Sequence, residues 1–430
     1  MNRKQLKYPF LALILLLIPL SSCSDWIEIA PETETEILLP QSESELEELL
    51  LGTYAGLGES GAYGDSFWLL GELSVGWLTG ETFWDAPSSP IDAIAFSRIE
   101  ATNSEVRKVW TQTYQTVNAA NLVLSNLQLA GSNRLQIEGE ARAIRALLYF
   151  ELLMNFSSPT EEIGVPLVLR AGETGLPSRA SRAEVFSQIV SDLEFARENL
   201  SNENVPYRFS RFAATALLAR VRLQQKQYEA ARDLANQVIR SEVFSLTEAP
   251  LDAAFSLGNS EMVFGILRTS SQSGSLASDY VGRVEVLASH LALYDANDRR
   301  RNFFTANGSR FRCIKFQESE QFLPLIRLSE MYLVRAEANF ELQTNTGDTP
   351  RNDLNRLRFR AGLVALGTFS EEELWRSRRR ELAYEGHYLR DVRRWQIDPG
   401  NVPFDAPNLV LPIPQSEIEA NPNLIQNEGY

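Results

Sequence analysis

Residues 325–342, LIRLSEMYLVRAEANFEL, decide the fold class of this chain. When this stretch is drawn as a helix with 3.6 residues per turn, its apolar residues point in nearly every direction. A helix that is apolar on all sides is buried among other elements. The stretch also contains arginines and glutamates, and a charge inside a buried helix must be paired or must serve a function. These residues therefore predict a helical core that contains either ion pairs or a charged site.

Two carboxylates of this stretch, Glu330 and Glu337, are the first candidates for a functional site. Their spacing of seven places them on one face of the helix, about 10 Å apart along its axis. Glycosidases also use two carboxylates, so a catalytic pair is one interpretation. The other interpretation is structural, because possible partners follow in the sequence: Arg356, Arg358, Arg360 and Arg380. We favour the structural interpretation, since bidentate pairing with arginine stabilises a buried carboxylate.

The composition limits the possible functions. The chain has 430 residues and a formal net charge of −15. This length exceeds the ~250–300 residues of a typical single core and indicates two domains or an elongated helical solenoid. The acidic charge argues against nucleic-acid binding, which needs a basic surface. The chain contains two cysteines and two histidines, so zinc clusters are disfavoured, and we predict no cofactor and no metal.

The N-terminus predicts export and lipid anchoring. Residues 10–20 form an apolar run after a basic start, which is too short to span a bilayer and is typical of a signal peptide. The Leu-Ser-Ser-Cys that follows resembles a bacterial lipobox. We therefore expect a signal peptide at 1–22 and lipidation of Cys23, with an ordinary secretory signal as the alternative. Residues 23–41 are acidic and contain prolines, as expected for a solvated tether.

The remaining chain, residues 42–430, is predicted to form one mainly α-helical domain. The predicted helices are about 42–57, 103–129, 135–155, 182–200, 210–225, 228–240, 325–343, 350–361 and 371–394. They form a scaffold at 42–57, 103–240 and 325–394. Short strand patterns occur at 165–169, 262–267 and 311–316.

Two segments, 58–101 and 244–324, lack helical periodicity, and loops of this length usually have a function. By contrast, residues 210–240 partly match the tetratricopeptide pattern, in which small residues let two paired helices approach closely. The predicted fold is therefore a tetratricopeptide-like helical solenoid with a loop-rich half for ligand binding.

Short motifs occur along the chain in the order of one known family. They include GEARAIRALLYFELLMNF, GVPLVL, LIRLSEMYLVRAEA, LNRLRFRAG, RRRELAYEGHYLRDVRRW and LPIPQSEIEANPNLIQNEGY. On these motifs, the chain resembles the SusD/RagB family of outer-membrane nutrient-binding lipoproteins. It departs from the family pattern at Tyr388, where an arginine is usual, and at residues 157–162, where a connection carries an extra Ser-Ser-Pro-Thr-Glu-Glu.

The resemblance implies a binding protein and not an enzyme. It also implies a lipid-anchored protein of the outer membrane that faces the outside of the cell and caps a TonB-dependent porin of the SusC type. The expected ligand is an oligosaccharide. Two alternatives remain open, namely capture of a peptide or another nutrient on the same scaffold, and a scaffold that binds proteins only.

The candidate ligand site is the aromatic-rich segment at 63–84 and the residues just after it. Sugar rings stack on aromatic side chains, and their hydroxyls need charged or polar partners. The residues that we favour as ligand contacts are Trp77, Trp84 and Asp85, followed by Phe83 and Arg98. The alternative for each aromatic residue is packing of the loop on the helices. A second candidate loop, residues 270–283, contributes Tyr280, with a simple connector as its alternative.

Overall fold

Helices form most of the chain in this computed structural model, which describes residues 39–173, 175–248, 250–269, 272, 275–317 and 322–430. The predicted signal peptide, Cys23 and the predicted tether up to residue 38 lie outside the described residues. Pro40–Tyr430 form one compact unit. Among the described residues, no helix is long and apolar enough to span a membrane.

The helices occur in the order that the sequence predicts for most of the chain. They are α1 (Glu43–Leu57), α2 (Ser66–Gly76), α3 (Pro90–Ala95), α4 (Ser104–Ser125), α5 (Arg134–Phe156), α6 (Arg182–Asn199), α7 (Arg211–Gln224), α8 (Tyr228–Arg240), α9 (Leu276–Gly282), α10 (Ala288–Leu291), α11 (Leu328–Leu342), α12 (Pro350–Arg360), α13 (Glu371–Glu381), α14 (Tyr388–Trp395) and α15 (Gln415–Ala420). The prediction of a mainly α-helical fold is confirmed.

Many helix starts were predictable because a side chain just before the helix accepts a hydrogen bond from a backbone N–H of its first turn. At α6, the Ser181 hydroxyl accepts a hydrogen bond from the Glu184 N–H, and the Glu184 carboxylate accepts one from the Ser181 N–H. At α13, the Ser370 hydroxyl accepts from the Glu373 N–H at 3.2 Å. Each contact satisfies a donor that the first turn of a helix leaves free.

The strands are short, and within the described ranges they form three antiparallel sheets. They are β1 (Thr82–Trp84), β2 (Ile163–Pro166), β3 (Arg179–Ser181), β4 (Met262–Leu267), β5 (Val284–Val286), β6 (Phe304–Asn307), β7 (Arg310–Cys313) and β8 (Phe322–Arg327). The largest sheet has the order β1-β5-β7-β6, with Phe83 opposite Glu285 and Val286 opposite Phe311. This sheet places β1, which follows α2, next to β5, which lies about 200 positions later in the chain.

The helices pack in series and converge on α11. Helix α5 contacts α4 and α6, α7 contacts α6 and α8, and α11 lies against α8, α7 and α12. Most side chains of α11 are buried, in agreement with its lack of a polar face. The helix begins at Leu328, three residues later than predicted, because residues 325–327 belong to β8.

The buried charged side chains of α11 are paired, but the partners of Glu330 and Glu337 differ from those predicted. Arg220 on α7 contacts Glu330 (Nη2 to Oε2, 2.7 Å), and Arg394 on α14 contacts Glu337 (Nε to Oε1, 2.6 Å). The predicted partners pair elsewhere: Arg356 with Asp348, Arg358 and Arg380 with Glu373, and Arg360 with Glu261 and Glu381. The prediction of partners was wrong because it relied on closeness in sequence, whereas Arg220 is 110 positions from Glu330.

Two further predictions are corrected. The two segments that were expected to lack helical order both contain helices, α2 and α3 in 58–101 and the short α9 and α10 in 244–324. The predicted helix at 371–394 is interrupted between α13 and α14, where Tyr384 (φ 64°) and Gly386 (φ 72°) adopt left-handed backbone conformations. The interruption fits closely against α2, since a Cβ added to Gly71 would lie 2.3 Å from the Gly386 carbonyl oxygen.

Candidate ligand-binding surface

Three aromatic rings from three different elements meet at the surface of the loop-rich half. Trp77 follows α2, Phe83 lies on β1, and Phe96 follows α3. The ring centroid of Trp77 is 5.8 Å from that of Phe83 and 4.9 Å from that of Phe96, and the two phenylalanine rings are 5.6 Å apart. Trp77 is 42% exposed, and the other two rings are half-buried. These three residues, together with the arginines described next, are called the aromatic surface.

Two arginines flank the rings. The Arg98 guanidinium lies 5.4 Å from the centre of the Phe96 ring, and the Arg310 guanidinium lies 5.0 Å from the centre of the Phe83 ring. Arg98 contacts Asp92 at 3.0 Å, and Arg310 is paired with Glu285. The side chains of Arg98 and Arg310 are 67% and 44% exposed, so their outer N–H groups face solvent. The aromatic surface therefore combines apolar faces with accessible donors.

Acidic groups extend the aromatic surface along the sheet. Asp85, which follows β1, is half-exposed and lies 3.5 Å from Arg312 Nη2. The same nitrogen lies 3.3 Å from Glu285 Oε1. Arg312 Nη1 is buried and has no hydrogen-bond partner among the described residues. Asp85 thus offers an exposed carboxylate beside the arginine-flanked rings.

A buried ionic cluster supports the turn that carries Trp77. Glu81 lies directly before β1 and contacts His290 Nδ1 (2.8 Å), Arg379 Nε (2.9 Å) and the Tyr388 hydroxyl (2.8 Å). Burial opposes ionisation of Glu81, but the charge of Arg379 and the hydrogen bonds from His290 and Tyr388 outweigh it, so the pKa of Glu81 lies well below its usual range. Gly80 has a left-handed φ of 69°, which lets the chain turn from α2 into β1.

Tyr388 belongs to this cluster, although the family pattern has an arginine at its position. Its hydroxyl donates to Glu81, and its ring packs under the Arg379 guanidinium at 3.7 Å. Arg379 also reaches Glu72 at 2.8 Å, so one guanidinium joins α2 to the residue before β1. The neutral Tyr388 hydroxyl therefore donates a hydrogen bond to Glu81 at the position where the family pattern has an arginine.

Four of the predicted ligand residues lie together on this face: Trp77, Phe83, Asp85 and Arg98. Trp84 and Tyr280 do not, because each is 1% exposed. Trp84 points to the opposite side of β1 from Phe83, as alternation along a strand requires, and donates to the Ser89 hydroxyl at 2.9 Å. The Tyr280 hydroxyl donates to the Tyr384 carbonyl at 2.9 Å. The prediction of these two residues as ligand contacts is therefore wrong for this structure.

Sequence reasoning missed Phe96 and Arg310 as members of the aromatic surface. Phe96 stands alone after a short helix, so no local pattern distinguishes it from a packing residue. Arg310 reaches Phe83 only through the pairing of β7 with β5 and of β5 with β1. The one available signal for Phe96 was its closeness to Arg98 in a segment that already contained several aromatic residues.

Comparison with known proteins identifies the family of the chain. Residues 25–223 match a family model named SusD-like and described as starch-binding and associating with the outer membrane, and residues 303–406 match the model of the SusD family. The chain belongs to the SusD/RagB family. This family consists of non-catalytic binding proteins, so the chain is not an enzyme.

Some proteins similar to this SusD/RagB chain match nearly all of it, and others match only part of it. The SusD-like protein P2 of Formosa agariphila is 25% identical over 99% of this chain and 100% of its own length. The SusD-like protein P38 of the same organism is 28% identical, but the match covers 57% of this chain and 47% of P38. A crystal structure of a putative sugar-binding protein from Bacteroides vulgatus superposes with a TM-score of 0.79, at 25% identity, over 91% of this chain and 99% of that one.

Proposed function

We propose that the chain captures a glycan on the aromatic surface and delivers it to a TonB-dependent porin of the SusC type. The observation that carries this proposal is the cluster of Trp77, Phe83 and Phe96, in which Trp77 contacts both phenylalanine rings and is 42% exposed. Aromatic rings offer apolar faces on which the C–H faces of a sugar ring stack. The flanking Arg98 and the carboxylate of Asp85 supply a donor and an acceptor for sugar hydroxyls.

The comparisons support a sugar as the ligand class. One family model is described as starch-binding, and one similar structure is named a putative sugar-binding protein. Lipidation of Cys23 would hold the protein at the outer membrane, on the outer face of the cell, where it meets its ligand before the porin does. The helical scaffold from α4 to α8 is proposed to be a tetratricopeptide-like solenoid, since α7 and α8 pack on each other across a short turn.

Isothermal titration calorimetry of residues 24–430 tests the binding function. A panel of neutral oligosaccharides, including a malto-oligosaccharide, should give saturable heats, while an assay for reducing ends on the same samples should detect no cleavage. Turnover of a bound glycan would overturn the proposal. Peptides that bind in place of every glycan would assign the aromatic surface to peptide capture.

Delivery to the porin needs a separate test. The protein should co-purify with a SusC-type porin encoded beside it, and the pair should stay together when the glycan is absent. A chain that binds the porin firmly but no small ligand would support the role of a protein-binding scaffold and would remove the glycan from the proposal.

A further inference from the structure

A small cavity at the end of α5 is lined by positively charged side chains, although the protein as a whole is acidic. Its volume is about 220 Å³, and it lies between the end of α5, the turn between α7 and α8, and α14. Its basic lining residues are Arg182, Lys226, Arg393 and Arg394, and among the described residues none that lines it is acidic. The whole chain has a net charge of −15, so a wall with four cations and no acid is an unusual feature of this protein.

The four cations differ in how they are neutralised. Arg394 contacts Glu337 at 2.6 Å and Asp391 at 2.8 Å, so its charge is balanced. Arg393 is 5% exposed, yet Nη2 donates to the Leu409 carbonyl at 2.7 Å and Nη1 donates to the Met154 carbonyl. Its Nε has no hydrogen-bond partner among the described residues. Arg393 is therefore a buried guanidinium held by neutral oxygens.

Arg182 adds a second cation that lacks a carboxylate partner. Its Nη1 donates to the Ser157 hydroxyl at 2.8 Å, and among the described residues it forms no ion pair. Arg182 is also the first residue of α6, where the positive end of the helix dipole disfavours a cation. Burial lowers the pKa of Arg182 to about 10. Burial also lowers the pKa of Arg393 to about 9, and the charges of Arg182 and Arg390 add to this effect.

The end of α5 accounts for part of this positive charge. Arg393 binds the Met154 carbonyl in the last turn of α5, where the helix dipole is negative. That dipole end amounts to about half a unit of negative charge. Arg182 and Arg393 together carry two positive charges, and Lys226 adds a third at the rim. A surplus of positive charge therefore remains in the cavity after α5 has been capped.

We propose that this cavity binds a small oxyanion, such as a sulfate or phosphate group. Guanidinium groups form paired, charge-assisted hydrogen bonds with such oxyanions. Thr160 places a hydroxyl on the same wall, and it belongs to the six-residue insertion at 157–162 that departs from the family pattern. The site is separate from the aromatic surface and does not rest on the proposed glycan capture.

Both a free sulfate or phosphate ion and a sulfate or phosphate ester on a sugar contain such an oxyanion. Calorimetry on residues 24–430 should therefore use sodium sulfate, inorganic phosphate and glucose 6-sulfate as ligands. Glucose and sodium chloride at matched ionic strength are the references. Saturable binding of an oxyanion, with no heat from glucose or chloride, is the expected result. Tighter binding of glucose 6-sulfate than of free sulfate would assign the source to a sugar ester, and the reverse would assign it to the free ion.

Variants locate the site. Arg182→Gln should weaken sulfate binding by about tenfold or more, because a charged hydrogen bond is lost. Lys226→Gln, at an exposed rim position, should weaken it by a smaller factor and keeps the test valid if Arg182→Gln folds poorly. Arg197→Gln on the same helix is the control, since Arg197 pairs with Glu194 at 2.6 Å and does not line the cavity. Sulfate that gives no more heat than chloride, or affinities of all three variants that equal that of the unchanged protein, would overturn the proposal and leave Arg393 as a cap of α5.

Discussion

Helix α11 and the aromatic surface both combine carboxylates, arginines and aromatic residues, but they use them differently. On α11, Glu330 and Glu337 are each 1% exposed and are held by arginines from other helices. On the aromatic surface, Arg98 and Asp85 are exposed, and each makes one contact with an opposite charge. The same residue types therefore stabilise the scaffold in one place and remain open to a ligand in the other.

The difference lies in burial and in the number of partners. A buried carboxylate that has lost its water needs an arginine within hydrogen-bond distance, and that arginine is then unable to bind a ligand. An exposed charge at the surface keeps its water and contributes little to stability. This contrast predicts that substitutions in α11 change stability, whereas substitutions on the aromatic surface change binding.

Glu330→Ala should give the largest effect on stability. It leaves Arg220, whose side chain is 4% exposed, as an uncompensated charge, and breaking such a pair costs about 3–5 kcal/mol. Urea unfolding followed by circular dichroism measures the loss. Glu341→Ala on the same helix is the control, because Glu341 is exposed and should change stability by less than about 0.5 kcal/mol. Unchanged stability together with lost ligand binding would place Glu330 in a functional site.

A fall in pH should destabilise the protein by the next largest amount. Burial lowers the pKa of His290 to about 4, although its ring donates a hydrogen bond toward Glu81. In the unfolded chain, this histidine binds a proton below about pH 6.5, whereas the folded protein does not until about pH 4. The contribution of His290 to the free energy of unfolding should therefore fall as pH decreases through this window, by about 1.4 kcal/mol per unit.

Urea titrations at pH 7, 6 and 5 measure this slope. Between pH 6.5 and 5, His290 alone accounts for roughly 2 kcal/mol, and His387, whose pKa burial also lowers, adds to the loss. The aromatic rings do not titrate, so the folded fraction should keep its ligand affinity. Asp279, whose pKa burial raises to about 6, opposes this slope below about pH 6, so the slope is compared with that of a His290→Gln variant. Equal slopes in the two proteins would mean that His290 accepts its proton in the folded protein and forms an ion pair with Glu81.

The scaffold was largely predictable because its signals are local. Helices such as α6 have a capping residue at the start and one polar face, and both can be seen within one segment of sequence. Helix α2 escaped prediction for the opposite reason. All of its residues are buried, so its sequence SFWLLGELSVG has no polar face from which a helical period could be detected.

The site was predictable only in part, because it depends on contacts between distant segments. The density of aromatic residues between 63 and 84 led to Trp77 and Phe83, but it also suggested Trp84, which points into the core. Whether Phe83 or Trp84 of β1 faces outward depends on the register of β1 with β5, and no local pattern determines that register. The same limit applies to the pairing of Glu330 with Arg220.

Trp77→Ala should affect binding far more than stability. Removal of the exposed ring takes away the centre of the aromatic surface and should weaken glycan affinity by roughly tenfold or more. Calorimetry with the best oligosaccharide of the panel measures the change. Phe359→Ala is the control, because Phe359 is 57% exposed on α12 and does not contact this cluster. Equal affinities for the two variants and the unchanged protein would move the ligand away from the aromatic surface.

Arg98→Gln should produce the smallest effect, and Arg356→Gln provides a closely matched control. Arg98 is 67% exposed, contacts Asp92 at 3.0 Å and lies 5.4 Å from the Phe96 ring centre. Arg356 is 52% exposed, contacts Asp348 at 3.1 Å and lies 5.8 Å from the Tyr332 ring centre. Each exposed ion pair contributes about 0–1 kcal/mol, so the two variants should lose similar, small amounts of stability.

Ligand affinity then separates these two arginines. Arg98→Gln should weaken glycan binding by roughly twofold to fivefold, as expected for the loss of one solvent-exposed hydrogen bond, while Arg356→Gln should leave it unchanged. Because local chemistry is nearly the same at both positions, a difference in affinity can arise only from the neighbouring rings of Trp77 and Phe83 that hold the ligand. Identical affinities for the two variants would restrict the binding site to the aromatic rings and exclude the arginine rim.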